Sequence, residues 1–250
     1  MAEEALKDTL AVYLKRVNKI SRSEIEKMFL LHTQYFDQAR MENFVHDLKE
    51  KDWCILIGDE DKSIKGYSSL QLIDTTFDGK QCKFLFSGDT LVAQENWRDN
   101  LLTGAFGHFV LYLNQKFPHH ELYWLLISKG FRTYRFLSLY YKEFYPVYDR
   151  QTPENVKALM DHICSIKFAS RYDSQSGLVL TDGQSDYLKP HMAAIRQGRQ
   201  SNPHISYFLK KNPRYYLGDE LVCIASLKKE NFKSDLMERV IRSVSVEWIS

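Results

Sequence analysis

Between Lys83 and Leu113 the chain reads KFLFSGDTLVAQENWRDNLLTGAFGHFVLYL, an apolar strand, an arginine-bearing loop and an amphipathic helix in immediate succession. This order aims the unpaired N–H groups of the helix's first turn, with the positive end of its dipole, past the strand's end, where an anionic group is the natural guest. Arg98 adds a fixed positive charge, and Gly104 and Gly107 leave side-chain-free spots early in the helix. An ordinary crossover with a solvated arginine is the alternative. Within the strand, Asp89 follows a glycine in an otherwise apolar run, where a carboxylate is costly unless it is partnered or used. A strand bulge capped by the aspartate is the structural explanation. Glu95, just beyond the strand, reads as solvent-facing, and His108 reads as a packing residue on the helix. The run KGFRTYRFLSLYYK from Lys129 to Lys142 has the composition to stack nucleobases, with Arg132 and Arg135 on phosphates. The spacing of Phe131, Tyr134, Leu137 and Tyr141 favours one buried helical face instead. No G-x-S-x-G elbow, Walker loop or H-E-x-x-H helix is present, which removes the best-marked hydrolase, nucleotidase and zinc-protease readings.

The elements that must position these residues follow from periodicity and turn chemistry. Leu10 to Val17 alternates enough for a first strand, and Ser21 with Glu24 forms a capping box for a helix carrying Ile25, Met28, Phe29 and His32. A second helix is predicted from Arg40 to Lys51. WCILIGD from Trp53 and the run from Ile64 to Ile73 make a hairpin across the turn Glu60-Asp61-Lys62-Ser63. The turn Thr76-Phe77-Asp78-Gly79 then leads into the central strand from Gln81 to about Ala93. LYWLLIS, Leu122 to Ser128, is continuously apolar and so buried on both faces, and a helix from Arg132 to Phe144 closes before Pro146. The tail predicts a helix after the Thr152 cap and Pro153, a short GLVL strand, and a helix near Asp186 to Ile195. A loop from Ile195 to Pro203, a helix at His204 to Lys211, a strand at Glu220 to Ser226 and an amphipathic segment from Phe232 complete it.

The 250 residues, 44% apolar and 26% charged, describe an ordinary globular chain, and the late strand LVCIAS needs a sheet to join. One domain over 1–250 is therefore expected: a core over 1–147, a mainly helical part over 148–205, and a C-terminal strand and helix over 206–250. Fifteen Tyr and fifteen Phe are compatible with an apolar pocket or simply an aromatic core. The formal net charge of +2 argues against dense phosphate-backbone binding, so nucleic acid is not the expected partner. Four widely spaced cysteines give neither a disulfide framework nor a zinc pattern, and no metal is expected. The N-terminal MAEEALKDTLAVYL lacks the features of a signal peptide, and no apolar run reaches the roughly 20 residues of a membrane span. A reducing cytoplasm is the expected location.

The order of elements and the residues around Arg98 resemble the GNAT superfamily of N-acyltransferases, over about Leu10 to Pro146. The resemblance implies an α/β (α+β) fold with a mixed, mostly antiparallel sheet flanked by helices, here with a helical C-terminal elaboration. FLFSGDTLVA would be the family's fourth strand, WRDNLLTGA its donor loop, LYWLLIS the splayed strand that follows, and FRTYRFLSLYYKEFYP the later helix. It implies acyl transfer from a thioester to an amine. The backbone of Leu91, Val92 and Ala93 would hold the pantetheine arm, and Arg98, Asn100, Leu101, Leu102, Thr103 and Gly104 the donor phosphates. Tyr141 would be the acid, with Tyr140 as its neighbouring candidate, and Asp89 or Glu95 the base. Leu101 and Thr103 occupy the family's two glycine positions, so the loop wraps a pyrophosphate less closely. An acyl-CoA or an acyl-phosphopantetheine on a carrier protein is the implied donor. Phe84, Phe86, Trp124 and Leu126 suggest an apolar channel for a medium or long acyl chain, and a peptide or protein amine is the suggested acceptor. A catalytically silent GNAT-like binding module, or an RNA binder, is the rival reading.

Overall fold

The computed structural model describes residues 10–59, 63–195 and 198–249. Glu60, Asp61 and Lys62 of the expected hairpin turn, Arg196 and Gln197 of the expected loop, and the N-terminal MAEEALKDT lie outside the described residues. Strand β1 (Ala11–Arg16) leads to helix α1 (Arg22–Tyr35), which begins where the Ser21 hydroxyl accepts from the Glu24 amide and the Glu24 carboxylate accepts from the Ser21 amide. Strand β2 (Phe36–Asp37) and helix α2 (Met41–Lys49) follow. Strands β3 (Trp53–Gly58), β4 (Ile64–Phe77) and β5 (Lys80–Val92) form an antiparallel meander. Helix α3 (Leu101–Lys116) then crosses back so that β6 (Glu121–Ser128) lies parallel to β5.

Helices α4 (Phe131–Tyr140) and α5 (Glu154–Phe168) come next, then the short strands β7 (Tyr172–Asp173), β8 (Leu178–Val179) and β9 (Tyr187–Leu188). The chain ends with α6 (Pro190–Ala193), α7 (Pro203–Lys211), β10 (Glu220–Ser226), α8 (Ser234–Arg242) and β11 (Glu247–Ile249). One nine-stranded sheet has the order β11-β1-β3-β4-β5-β6-β10-β8-β7, antiparallel except at β5–β6 and β1–β11. This is the mixed, mostly antiparallel sheet flanked by helices that the sequence predicts. Ile55 and Ile57 of β3 face the layer containing α3, while Cys54 and Leu56 face α1 and α2. That is the period-two alternation of a strand covered on both sides.

Four expectations change. Helix α4 stops at Tyr140, not Phe144, because Tyr141 turns extended to bridge Phe232 and Tyr145 bridges Ile224. A long-range partner thus overrides local helix propensity. The helix expected near Asp186 to Ile195 is strand β9, paired with β2, followed by the short α6. Pro153 rather than Thr152 occupies the N-cap of α5, and no side chain caps it. Strand β11 was not anticipated, since three residues beside β1 carry no periodic signal.

Candidate active site

The β5–β6 ladder runs from Cys82 opposite Glu121 to Ser87 opposite Leu126 and stops there, although β5 continues to Val92 and β6 to Ser128. A bulge accompanies the opening. On the β4 side Ser68 pairs with Thr90 and Leu70 with Ser87, so Gly88 and Asp89 together oppose Ser69. Such an insertion bends its strand and redirects side chains. Glycine is needed at 88, where a Cβ would lie 2.7 Å from Ser69 Oγ and 2.8 Å from Lys51 Cε. The bulge therefore opens the sheet and turns Asp89 toward the α1–α2 face.

A cavity of about 370 Å³ occupies the α3 side of this splay. Leu91 and Val92 of β5, Leu101, Leu102 and Phe106 of α3, and Trp124 and Leu126 of β6 give it largely apolar walls. Trp124 is held by its indole N–H, which donates to Ser87 Oγ at 2.9 Å. Asn100 and Thr103 line the same cavity at the start of α3. Ala93 donates its amide to the Lys65 carbonyl at 2.7 Å, so by alternation the Leu91 backbone also points to β4. The backbones of Thr90 and Val92 are left facing the splay, and the Trp97 indole donates to the Val92 carbonyl at 2.8 Å.

Several expected donor contacts are placed elsewhere. Gly104 is buried against α8 rather than in the cavity wall, and a Cβ on it would sit 2.4 Å from Val244 Cγ2. Gly107 meets Ile241 in the same way, at 2.5 Å, so both glycines serve helix crossing. Arg98 is exposed and outside the cavity wall, whereas Arg132 at the start of α4 lines it. The Arg132 guanidinium lies 5.3 Å from the Trp97 ring and donates to the Met192 carbonyl at 2.6 Å. Phe84 is buried against Tyr123 and lines neither side of the splay, and Phe86 lines the opposite side from Trp124.

Neither tyrosine reaches the cavity surface. Tyr141 packs behind Trp124 and against Phe232, fully buried, with a hydroxyl that finds no partner among the described residues. Burial raises its pKa well above the ordinary tyrosine value. Tyr140 stacks on Phe136, which does line the cavity, and its hydroxyl stands 3.5 Å from Asn100 Oδ1. Burial raises its pKa as well. Glu95 is exposed, 3.9 Å from Lys65 Nζ. His108 is a packing residue, its Nε2 donating to the carbonyls of Ile241 and Val244. Phe131, Tyr134, Leu137 and Tyr141 are all buried, so the three rings offer no face to a nucleobase.

On the α1–α2 side of the splay lies a polar cleft of about 570 Å³. Thr90, Leu126 and Thr133 line both it and the apolar cavity, so the two adjoin beside the open end of the β5–β6 ladder. His32 of α1 is buried in its wall, stacked on Phe36, with Nδ1 2.7 Å from the Tyr67 hydroxyl and Nε2 2.5 Å from Asp186 Oδ2. Lys129, at the end of β6, donates to Asp186 Oδ1 at 2.5 Å. Burial works to raise the Asp186 pKa, yet the His32 hydrogen bond and the Lys129 charge outweigh it and hold the carboxyl well below the ordinary range. Burial likewise opposes the Lys129 ammonium, and the charges of Glu220, Asp186 and Asp89 keep its pKa above the usual value. Asp89 lines the cleft beside this group, its pKa raised chiefly by burial against the opposing His32 charge. Glu220, the first residue of β10, is pushed up to about 7, again chiefly by burial. Sequence reasoning missed His32, Lys129, Asp186 and Glu220 as one group, because they come from four separate segments.

The mixed, mostly antiparallel sheet flanked by helices, and the parallel pair that opens beyond Ser87, are those the sequence resemblance implies. No protein-family model and no curated protein sequence matches the chain. Among solved structures, a conserved protein of unknown function from Enterococcus faecalis aligns at 16% identity and a TM-score of 0.41, over 54% of this chain and 33% of that one. The GNAT family N-acetyltransferase YhbS from Escherichia coli, in complex with CoA, aligns at 13% identity and a TM-score of 0.36, over 48% of this chain and 64% of that one. Arabidopsis thaliana NAA60, in complex with a bisubstrate analogue, aligns at 13% identity and a TM-score of 0.39, over 56% and 92%. The chain thus spans less than two thirds of the first two of these proteins.

Proposed function

We propose that the chain is an N-acyltransferase that carries an acyl group from a thioester in the apolar cavity, through the splay, to an amine in the polar cleft. The observation that carries this reading is that two chemically opposite cavities adjoin, with Thr90, Leu126 and Thr133 in the lining of both. Thioester and amine can then approach from opposite faces of the sheet and touch only at the reacting atoms. The outward-facing backbone of Thr90 and Val92 supplies amides to polarise the thioester carbonyl. Asp89 takes the proton of the arriving ammonium, the freed amine attacks the carbonyl carbon, the C–S bond breaks, and the extra proton left on the nitrogen passes to the departing thiolate. We assign the hydrogen bond to the departing thiolate to Thr133, which lines both cavities, ahead of the buried Tyr141.

Arg132, with the start of α3, offers charge for a single donor phosphate, and Arg98 supports it from the surface. Leu101 and Thr103 leave little room for a wrapped pyrophosphate, which favours phosphopantetheine on a carrier protein or a loosely held CoA. Apolar walls of about 370 Å³ favour a medium or long acyl chain over acetyl. The test offers acetyl, octanoyl and palmitoyl thioesters, on CoA and on a carrier protein, with a panel of amines, and reads free thiol and intact mass. Octanoyl or palmitoyl transfer to an amine, lost at least tenfold in Asp89→Asn through turnover rather than donor affinity, is expected. No thiol release with any donor, or full activity in Asp89→Asn, would overturn the reading.

A further inference from the structure

The polar floor of the cleft contains two kinds of carboxylate. Asp186 is fully engaged, with His32 on one oxygen and Lys129 on the other. Asp89 and Glu220 line the same cleft, and neither makes a hydrogen bond or ion pair to any described residue. Glu220 is only 9% exposed, so its carboxylate is a nearly buried, unpartnered acid with the cleft as its remaining outlet. The charges of both carboxylates act on the Lys129 ammonium, whose own ion pair is with Asp186. With His32 and Lys129 both on Asp186, the group of His32, Lys129, Asp186, Asp89 and Glu220 carries one uncompensated negative charge when all are ionised, and Asp89 and Glu220 are its unpaired carboxylates.

The outer wall balances itself more closely. Lys167 pairs with Glu50 at 3.1 Å and Lys51 with Asp47 at 2.7 Å, while Arg171, whose charge reaches Glu220, donates to the Leu180 carbonyl. Arg40 and Asp182 also line this wall. The deficit of positive charge therefore lies at the inner end, next to the splay. Phe36, Phe86 and Phe168 line the cleft as well, offering apolar and π surface to methylenes and ammonium groups.

We propose that the acceptor is an aliphatic diamine, bound as a dication with its reacting amine at Asp89 and its second ammonium at Glu220. This rests on reading the cleft as the acceptor side of the splay. One amine gives its proton to Asp89 and attacks, and the other stays charged against Glu220. A bound diamine then meets both unpartnered carboxylates, whereas a monoamine leaves one of them buried and alone.

The test measures binding alone, by calorimetry on the full chain without thioester. The probes are 1,4-diaminobutane and 1,5-diaminopentane, against butylamine and 4-aminobutanoate as chains of similar length with different charge. At least one diamine is expected to bind about tenfold tighter than butylamine, as one added charge-assisted contact would give, and 4-aminobutanoate is expected to bind worst. Glu220→Gln should abolish the preference for diamine over monoamine while leaving butylamine binding in place. Equal binding of diamines and butylamine by the unmodified chain would overturn the proposal without reference to any variant. So would an undiminished preference in Glu220→Gln, or tightest binding of 4-aminobutanoate, which would assign recognition to Arg40 and Arg171. With no thioester present, failure here leaves acyl transfer untouched. Conversely, absence of thiol release in the donor panel leaves diamine binding standing.

Discussion

At neutral pH Glu220 stands at the midpoint of its titration, with a pKa of about 7 against 4.5 for an ordinary glutamate. Because the folded chain holds this proton more tightly than the unfolded one, folding is disfavoured progressively as pH rises from about 4.5 through 7. Above pH 7 the full penalty, about 3 kcal/mol, is present. Glu220→Gln removes it, so the variant should unfold at higher urea than the parent at pH 8, and the two should converge at pH 4. Denaturation curves at both pH values check this, and a parent as stable as the variant at pH 8 would contradict it. Tyr141 makes the opposite case, a hydroxyl buried with no partner among the described residues. Removing an unsatisfied buried group is neutral or favourable. Tyr141→Phe should therefore gain up to about 1 kcal/mol in stability and keep its turnover. A large loss of turnover with unchanged donor affinity would restore Tyr141 as the acid.

At the scale of elements, the packing of α3 on α8 holds the helix that walls the apolar cavity. Two glycines one helical turn apart let α8 approach, and Gly104 lies closest, against Val244 and the Val240 carbonyl. Gly104→Ala should destabilise by about 1–3 kcal/mol through overpacking, despite alanine's better helix propensity. Adding Val244→Ala should recover part of that loss, and a double-mutant cycle by thermal or urea unfolding measures the coupling. Additive losses would mean that the two helices do not press on one another there. The β5 bulge is the other decisive element, because it both ends the ladder with β6 and aims Asp89 into the cleft.

For the whole molecule, the proposed route takes the acyl group from one face of the sheet to the other beside the open end of the β5–β6 ladder. Thr133 of α4 lines the cavity on each side. Thr133→Trp should block that route, cutting acyl transfer at least a hundredfold while leaving donor binding within a few-fold of the parent. Separate titrations with a non-transferable donor analogue, and single-turnover assays, distinguish blocked transfer from lost binding. Retained transfer would mean that the acyl group takes another route.

The sequence by itself determined the elements whose signals are local. The Ser21–Glu24 box starts α1, apolar periodicity marks β3 to β6, and the strand–loop–helix around Arg98 shows the order that gives a GNAT-like sheet. Asp89 stood out because a carboxylate in an apolar strand is costly wherever the strand lies. Tertiary structure decided what depends on distant partners. It turned Gly104 toward Val244 instead of a phosphate, sealed Tyr141 behind Trp124, and placed Arg132 rather than Arg98 in the cavity wall. It also gathered His32, Lys129, Asp186 and Glu220 from α1, the end of β6, the residue before β9 and the start of β10. No spacing rule connects residues so far apart in the chain. Their proximity exists only because the sheet sets β5, β6 and β10 side by side, and burial there then fixes which carboxyls stay charged.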